Sequence, residues 1–142
     1  MIALGVFDGV HAGHRAVLTT AAAMAQQQQA AAVALTFMPH PRQVLTPDSA
    51  PALLISPARR LELLAAVPGI GGCGQINFST QIAAWEPEEF FRRLLQLPQL
   101  KVKGMCGQKL AFRTARQRQH PAAGVTVPSM RYRFCGGAGS EV

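Results

Sequence analysis

Apolar runs and stretches of helical period alternate along the first hundred residues. Ile2-Ala-Leu-Gly-Val-Phe7 is a short continuous apolar run ended by Asp8-Gly9, the pattern of a strand buried on both faces. Ala12 to about Gln29 is rich in helix formers and has no proline, and no glycine after Gly13, so it predicts a helix. Ala31 to Phe37 is a second buried strand, stopped by Pro39-His40-Pro41. Ser56-Pro57 then stands at an N-cap and first helical position, and the helix it opens carries Leu61, Leu63 and Leu64 and stops before Pro68-Gly69. Gly74 to Phe78 predicts a weak third strand. Pro87-Glu88-Glu89 opens another helix with acids at its positive end, and Phe90, Phe91, Leu94 and Leu95 recur along it at helical spacing, a packing stripe. Leu100 to about Cys106 predicts a fourth strand. Strands and helices in this order imply an α/β fold, a parallel sheet with helices on both faces. Ligands of such sheets sit beyond the carboxyl ends of the strands, which points to the loop after the first strand.

Composition agrees with one folded domain. The chain has 142 residues, of which 49% are hydrophobic and 15% charged, enough apolar content for a core and too little length for two domains. The most apolar stretch, Ala16 to Leu35, is interrupted by four glutamines from Gln26 to Gln29, which excludes a membrane-spanning helix there. The opening residues have no basic region before Asp8, unlike a secretory signal. Cys73, Cys106 and Cys135 are odd in number and far apart, which fits thiols in a reducing cytoplasm better than a disulfide framework or a zinc site. The net charge of +7 changes the picture only when it is located. Residues 1–100 hold six basic and six acidic groups, whereas residues 101–142 hold eight basic groups against Glu141 alone. The chain therefore has two compositions, and the excess charge is no general nucleic-acid face.

The loop after the first strand reads Gly5-Val-Phe-Asp-Gly-Val-His-Ala-Gly-His14. A helix start offers unpaired backbone N–H groups and positive potential, which suits a polyphosphate. Gly13 lets a ligand approach the backbone, and imidazoles at His11 and His14 donate to phosphate oxygens where charge develops during transfer. Taken alone, such a pair at a helix start is more often structural, and no third ligand at sensible spacing makes it a metal site. By the same local reading, Asp8 is compatible with an Asx-turn, Phe7 with plain core, and Pro39-His40-Pro41 with a rigid strand exit. Arg42 and the pair Arg59-Arg60 read as solvated side chains.

The whole string Gly-x-Phe-Asp-Gly-Val-His-x-Gly-His resembles the signature of the bacterial riboflavin kinase/FAD synthetase family, within the wider His-x-Gly-His nucleotidyltransferases. Leu35-Thr-Phe-Met-Pro-His-Pro-Arg42 is similar to that family's Thr-Phe-x-Pro-His-Pro segment, and looser similarities run through Ala50–Leu54, Asn77-Phe78-Ser79 and Glu86–Phe90. The resemblance covers roughly residues 2–106 and implies a Rossmann-like FAD synthetase domain that transfers AMP from ATP to FMN. By that likeness His11 and His14 are the catalytic residues on the ATP phosphates. Gly5, Phe7, Asp8 and Gly13 shape the ATP pocket, and Phe37, Pro39, His40 and Pro41 line the flavin and nucleotide side. Mg2+ enters with ATP. ATP and FMN are the expected partners, with neither nucleic acid nor membrane among them. The alternatives are another adenylyl or cytidylyl transferase of the His-x-Gly-His group, a non-catalytic ATP-binding remnant, or a nucleic-acid module built on the basic tail.

The likeness fades at Cys106. The family continues with Val-Gly-x-Asn/Asp-Phe-Arg-Phe-Gly, where this chain has Cys106-Gly-Gln-Lys-Leu-Ala-Phe-Arg113. If Cys106 is encoded by TGT and its neighbours by permitted codons, a frame one base later can read VGKNLRFGQRASGNTQQLA, which fits the family. The expectation is therefore an incomplete synthetase domain over residues 1–106, then an aberrant, out-of-frame and poorly ordered basic tail over 107–142. On that expectation the chain would lack the later family motifs and the riboflavin kinase domain, and its turnover is expected to be impaired or absent.

Overall fold

The computed structural model describes residues 1–96 and 105–107. Four strands, β1 (Ile2–Leu4), β2 (Ala32–Met38), β3 (Ile70–Asn77) and β4 (Met105–Gly107), form one sheet in the order β3-β2-β1-β4. Every pairing is parallel. Five helices accompany them: α1 (Ala12–Gln27), α2 (Pro41–Leu45), α3 (Pro57–Ala65), α4 (Thr80–Ala83) and α5 (Pro87–Leu95). This is the α/β architecture that the alternation of elements predicts. The chain steps from β1 to β2 to β3 in one direction, then returns to place β4 on the other side of β1. That reversal makes the carboxyl end of β1 the topological switch point, where doubly wound sheets open a crevice for ligands.

Side chains alternate across the sheet, so each face has its own core. Ala3, Ala34 and Cys73 lie opposite one another in register, and these small residues receive Leu18, Ala21 and Ala25 of α1 and Leu61 and Leu64 of α3. On the other face Ile2, Leu4, Leu35, Phe37 and Ile76 meet Ile82 of α4 and Phe90 and Leu94 of α5. The side chain of Leu95, the last member of the predicted stripe, lies outside the described residues.

Three boundaries differ from the sequence reading. β1 ends at Leu4 rather than Phe7; Gly5 N makes a bond to β2 at Leu35 O, and the chain then turns into the loop. β3 begins at Ile70, four residues before the predicted start. Its glycines have low intrinsic strand preference, yet pairing along the whole of β2 extends the strand back to Ile70. The turn before it depends on Gly69, whose φ of +84° is left-handed and whose Cβ would stand 2.8 Å from that of Ala22 in α1. The third difference is α2, which turns the expected strand exit at Pro39–Pro41 into a helix start. β4 runs through Gly107, and the earlier part of the predicted fourth strand, residues 100–104, lies outside the described residues, as do residues 108–142. No helix among the described residues is long and apolar enough to cross a membrane.

Candidate active site

The loop from Gly5 to His11 is folded tightly against the end of the sheet. Gly5 N donates to Leu35 O at 3.0 Å, and a Cβ there would stand 3.0 Å from the Phe7 ring. Glycine thus lets that ring fold back across the strand end. Phe7 takes left-handed backbone angles (φ 51°, ψ 29°), uncommon for a bulky residue and held only where the surroundings over-determine it. Its ring is 1% exposed, packed in the α1/α3 core, with its edge toward His14 at a centroid distance of 5.4 Å. Phe7 is therefore core and site wall at once. Asp8–Val10 make a tight turn that is not regularly helical, with Gly9 at φ 76° and Val10 at φ 41°, after which the chain enters α1.

His11 is the N-cap of α1. Its Nδ1 accepts from Gly13 N at 3.2 Å, satisfying one of the helix's unpaired donors as a serine or aspartate would. The neutral ring must then carry its proton on Nε2, directed away from the helix. A Cβ on Gly13 would sit 3.2 Å from His11 Cε1, so a glycine at this position leaves room for the cap. One turn on, His14 stacks beneath His11 with ring centroids 3.7 Å apart and planes 22° from parallel. His14 is buried, and its Nδ1 has no hydrogen-bond partner among the described residues. Burial is the main influence lowering its pKa below the ordinary 6.5, with the neighbouring His11 adding to it, Asp8 opposing and Arg60 contributing further. Burial thus favours the neutral form of His14, and both rings stand at the positive end of α1.

The opposite wall comes from β2. Thr36, buried on the α3 side, donates from Oγ1 to Val6 O at 2.7 Å and ties the first loop to the second strand. Phe37 points the other way, into the α5 core, edge-on to Phe78 at 5.5 Å. Its side chain is buried and only its backbone reaches the site. Pro39, His40 and Pro41 are partly buried. His40 caps α2: its Nδ1 accepts from Arg42 N at 3.1 Å, while Gln43 Oε1 accepts from His40 N at 3.1 Å, a reciprocal capping box. Burial lowers the His40 pKa as well, opposed by Asp8 and reinforced by Arg60 and Arg42. The charges of Asp8 and Arg60 thus act on both His14 and His40, which places the two histidine loops around one pair of charges.

That pair corrects the sequence reading. Arg60 is not solvated. It is 0% exposed, with Nη1 within 3.3 Å of Val6 O, 3.4 Å of Thr36 Oγ1 and 3.2 Å of Phe37 O, and Nη2 3.8 Å from Asp8 Oδ1. Asp8 closes no turn within its own loop. Both its oxygens accept from Leu54 N, at 3.2 and 3.0 Å, across 46 residues of chain. Arg59, in contrast, pairs with Glu62 at the surface, and the exposed Arg42 donates to Ser49 O. The signals for Thr36 and Arg60 are faint but real. Thr36 interrupts the apolar row Ala32, Ala34 on the α3-facing side of β2, and Arg60 shares the inward face of α3 with Leu61 and Leu64.

Among the described residues no group of three or more His, Cys, Asp or Glu side chains is arranged to hold a metal ion. Asp8, the carboxylate nearest the histidines in sequence, already accepts from Leu54 N and faces Arg60. The donors that remain, imidazole and backbone N–H, suit phosphate oxygens.

Comparison with known proteins gives the family. A family model described as FAD synthetase matches residues 1–122. The chain belongs to the FAD synthetase family. The bifunctional riboflavin kinase/FMN adenylyltransferase of Bacillus subtilis (strain 168) is 46% identical over 90 residues, 63% of this chain and 28% of that protein. Its counterpart in Escherichia coli (strain K12) is 30% identical over 118 residues, 82% of this chain and 37% of that protein. The chain thus spans about a third of the length of these relatives. Among solved structures, a Streptococcus pneumoniae crystal structure titled as a macrolide-efflux protein matches with a TM-score of 0.55 and 28% identity, over 65% of this chain and 31% of the other. All ten positions of the loop signature lie within the matched residues, as do Thr36, His40 and Arg60.

Proposed function

We propose that this chain carries adenylyl transfer from ATP to FMN, giving FAD and pyrophosphate. The observation that carries the reading is the stacked pair His11/His14 at the start of α1, at the switch point of a sheet whose family is FAD synthetase. A phosphate oxygen of FMN attacks the α-phosphorus of ATP, the bond from that phosphorus to the bridging oxygen breaks, and its electron pair leaves with pyrophosphate. The acceptor supplies the nucleophile, so the protein's part is to position the phosphates and stabilise developing charge. His11 Nε2–H, His14 and the unpaired N–H groups of α1 are the donors for the triphosphate. Gly5, Phe7, Asp8 and Gly13 fix the loop that presents them. Pro39, His40 and Pro41 form the side for the nucleotide and flavin, with Phe37 supporting it from the core. Mg2+ arrives on ATP as part of the substrate and neutralises the leaving pyrophosphate.

Turnover is proposed to be weaker than in a full-length relative, because the stretch Cys106–Arg113 differs in detail from the family's Val-Gly-x-Asn/Asp-Phe-Arg-Phe-Gly. A single-turnover assay accommodates that: chain in excess, radiolabelled ATP, magnesium and FMN, with FAD separated by chromatography. Labelled FAD is expected, formed more slowly than by a full-length relative. Its formation should fall about a hundredfold or more in His14→Gln, the usual cost of losing one charge-stabilising donor. Absence of FAD, or an unchanged rate in His14→Gln, overturns the reading.

A further inference from the structure

We propose that Arg60 is the positioning residue of this site, a buried cation that holds the loops after β1 and β2 in the arrangement the nucleotide phosphates meet. The proposal rests on the functional reading above and goes beyond it, since Arg60 lies outside both sequence motifs.

Three elements converge on one side chain. Arg60 comes from the first turn and a half of α3, which Ser56 caps by accepting from Arg59 N. Its Nη1 meets the carbonyl of Val6, at the exit of β1, and the carbonyl of Phe37, near the end of β2. Thr36 Oγ1 completes the set and itself bonds Val6 O. Residue 6 lies just before the strained Phe7 and the His11/His14 loop, and residue 37 lies just before the Pro39-His40-Pro41 loop. A shift of either carbonyl therefore moves one histidine loop relative to the other.

A buried guanidinium is costly unless its charge and donors are used. Structural packing alone would be served better by an apolar side chain, since Leu61 and Leu64 fill the same helix face. The ion pair with Asp8 is long at 3.8 Å, and Nε and Nη2 lack hydrogen-bond partners among the described residues. All the bonds made by Arg60 thus converge on one nitrogen, whose three acceptors match the three donors of an ammonium. That convergence gives the proposal a sharp form. Lysine at this position retains the clamp and the charge, whereas methionine retains only the bulk.

The test uses the full chain with Arg60→Met and Arg60→Lys, thermal melting to verify the fold, single-turnover FAD formation, and NMR titration of the imidazoles. The groups acting on His14 are His11, Asp8 and Arg60, and on His40 they are Asp8, Arg60 and Arg42. Arg60→Met is expected to lower the rate constant about a hundredfold, the cost of a misplacement of about 1 Å, with half-saturation by ATP changed far less. Both His14 and His40 should titrate higher once the cation is gone. Arg60→Lys should restore most of the rate and both titrations. Folded Arg60→Met with unmodified rate and titrations, or Arg60→Lys as defective as Arg60→Met, overturns the proposal. Should Arg60→Met not fold, Thr36→Val removes only the hydroxyl of the clamp and is expected to slow transfer about tenfold; an unmodified rate there overturns it equally. An unmodified chain that forms no FAD overturns the functional reading instead, and the Arg60 proposal then stands or falls on the two histidine titrations.

Discussion

The stacked imidazoles carry a consequence for acid stability. His14 is buried between the Phe7 edge and the His11 face, and protonating it would place a charge in that gap. Its folded pKa is therefore below the 6.5 of an unhindered histidine, and the same holds for His40. Between the folded and unfolded values the unfolded chain binds more protons, so stability falls as pH drops below about 6.5 and levels off once the folded value is passed. Urea unfolding at pH 7.5 and pH 5.5 should show the loss. His14→Phe, which keeps a ring against Phe7, should flatten part of the slope and leave the part due to His40. An equal slope in His14→Phe would show that this imidazole is not buried in neutral form. A polyphosphate would bring negative charge to His14 and oppose the effect of burial on it.

At the scale of elements, helix starts organise the site. α1 begins on His11, α2 on His40 and α3 on Ser56, and each start fixes a residue the site uses. Ser56→Ala removes the α3 cap and is expected to cost about 1 kcal/mol in urea unfolding; a loss below a few tenths would mean that packing alone sets α3. The sequence made α1, α3 and α5 legible because their proline, serine or glycine boundaries and apolar spacing agree. It made the first loop legible because eight of its ten positions match a family signature, the other two being free in that signature. α2 was hidden because its five residues are too few for periodicity, and its histidine cap lies outside the usual serine, threonine, aspartate and asparagine set. The start of β3 was hidden in Ile70-Gly-Gly-Cys-Gly74, whose strand conformation comes from pairing with β2 rather than from local preference. Arg60 was misread for a related reason. Arginine is ordinarily solvated, and only the carbonyl ends of β1 and β2, brought together by the fold, give its charge a buried place.

The whole molecule places these pieces at one end of a parallel sheet. The small row Ala3, Ala34, Cys73 brings α1 and α3 close on one face, and the larger row around Leu35 and Phe37 seats α4 and α5 on the other. With β4 on the far side of β1, the histidine loop opens at the reversal of strand order, where the helix-start N–H groups of α1 and the imidazoles lie together. On the proposed function, ATP phosphates accept hydrogen bonds from the stacked His11 and His14 at this point. This is tested most directly by following the imidazole resonances in a histidine-selective NMR spectrum while magnesium ATP, and separately magnesium pyrophosphate, is added. The His11 and His14 signals should move together and saturate with either ligand. Saturable ATP binding that leaves both signals in place would contradict the account.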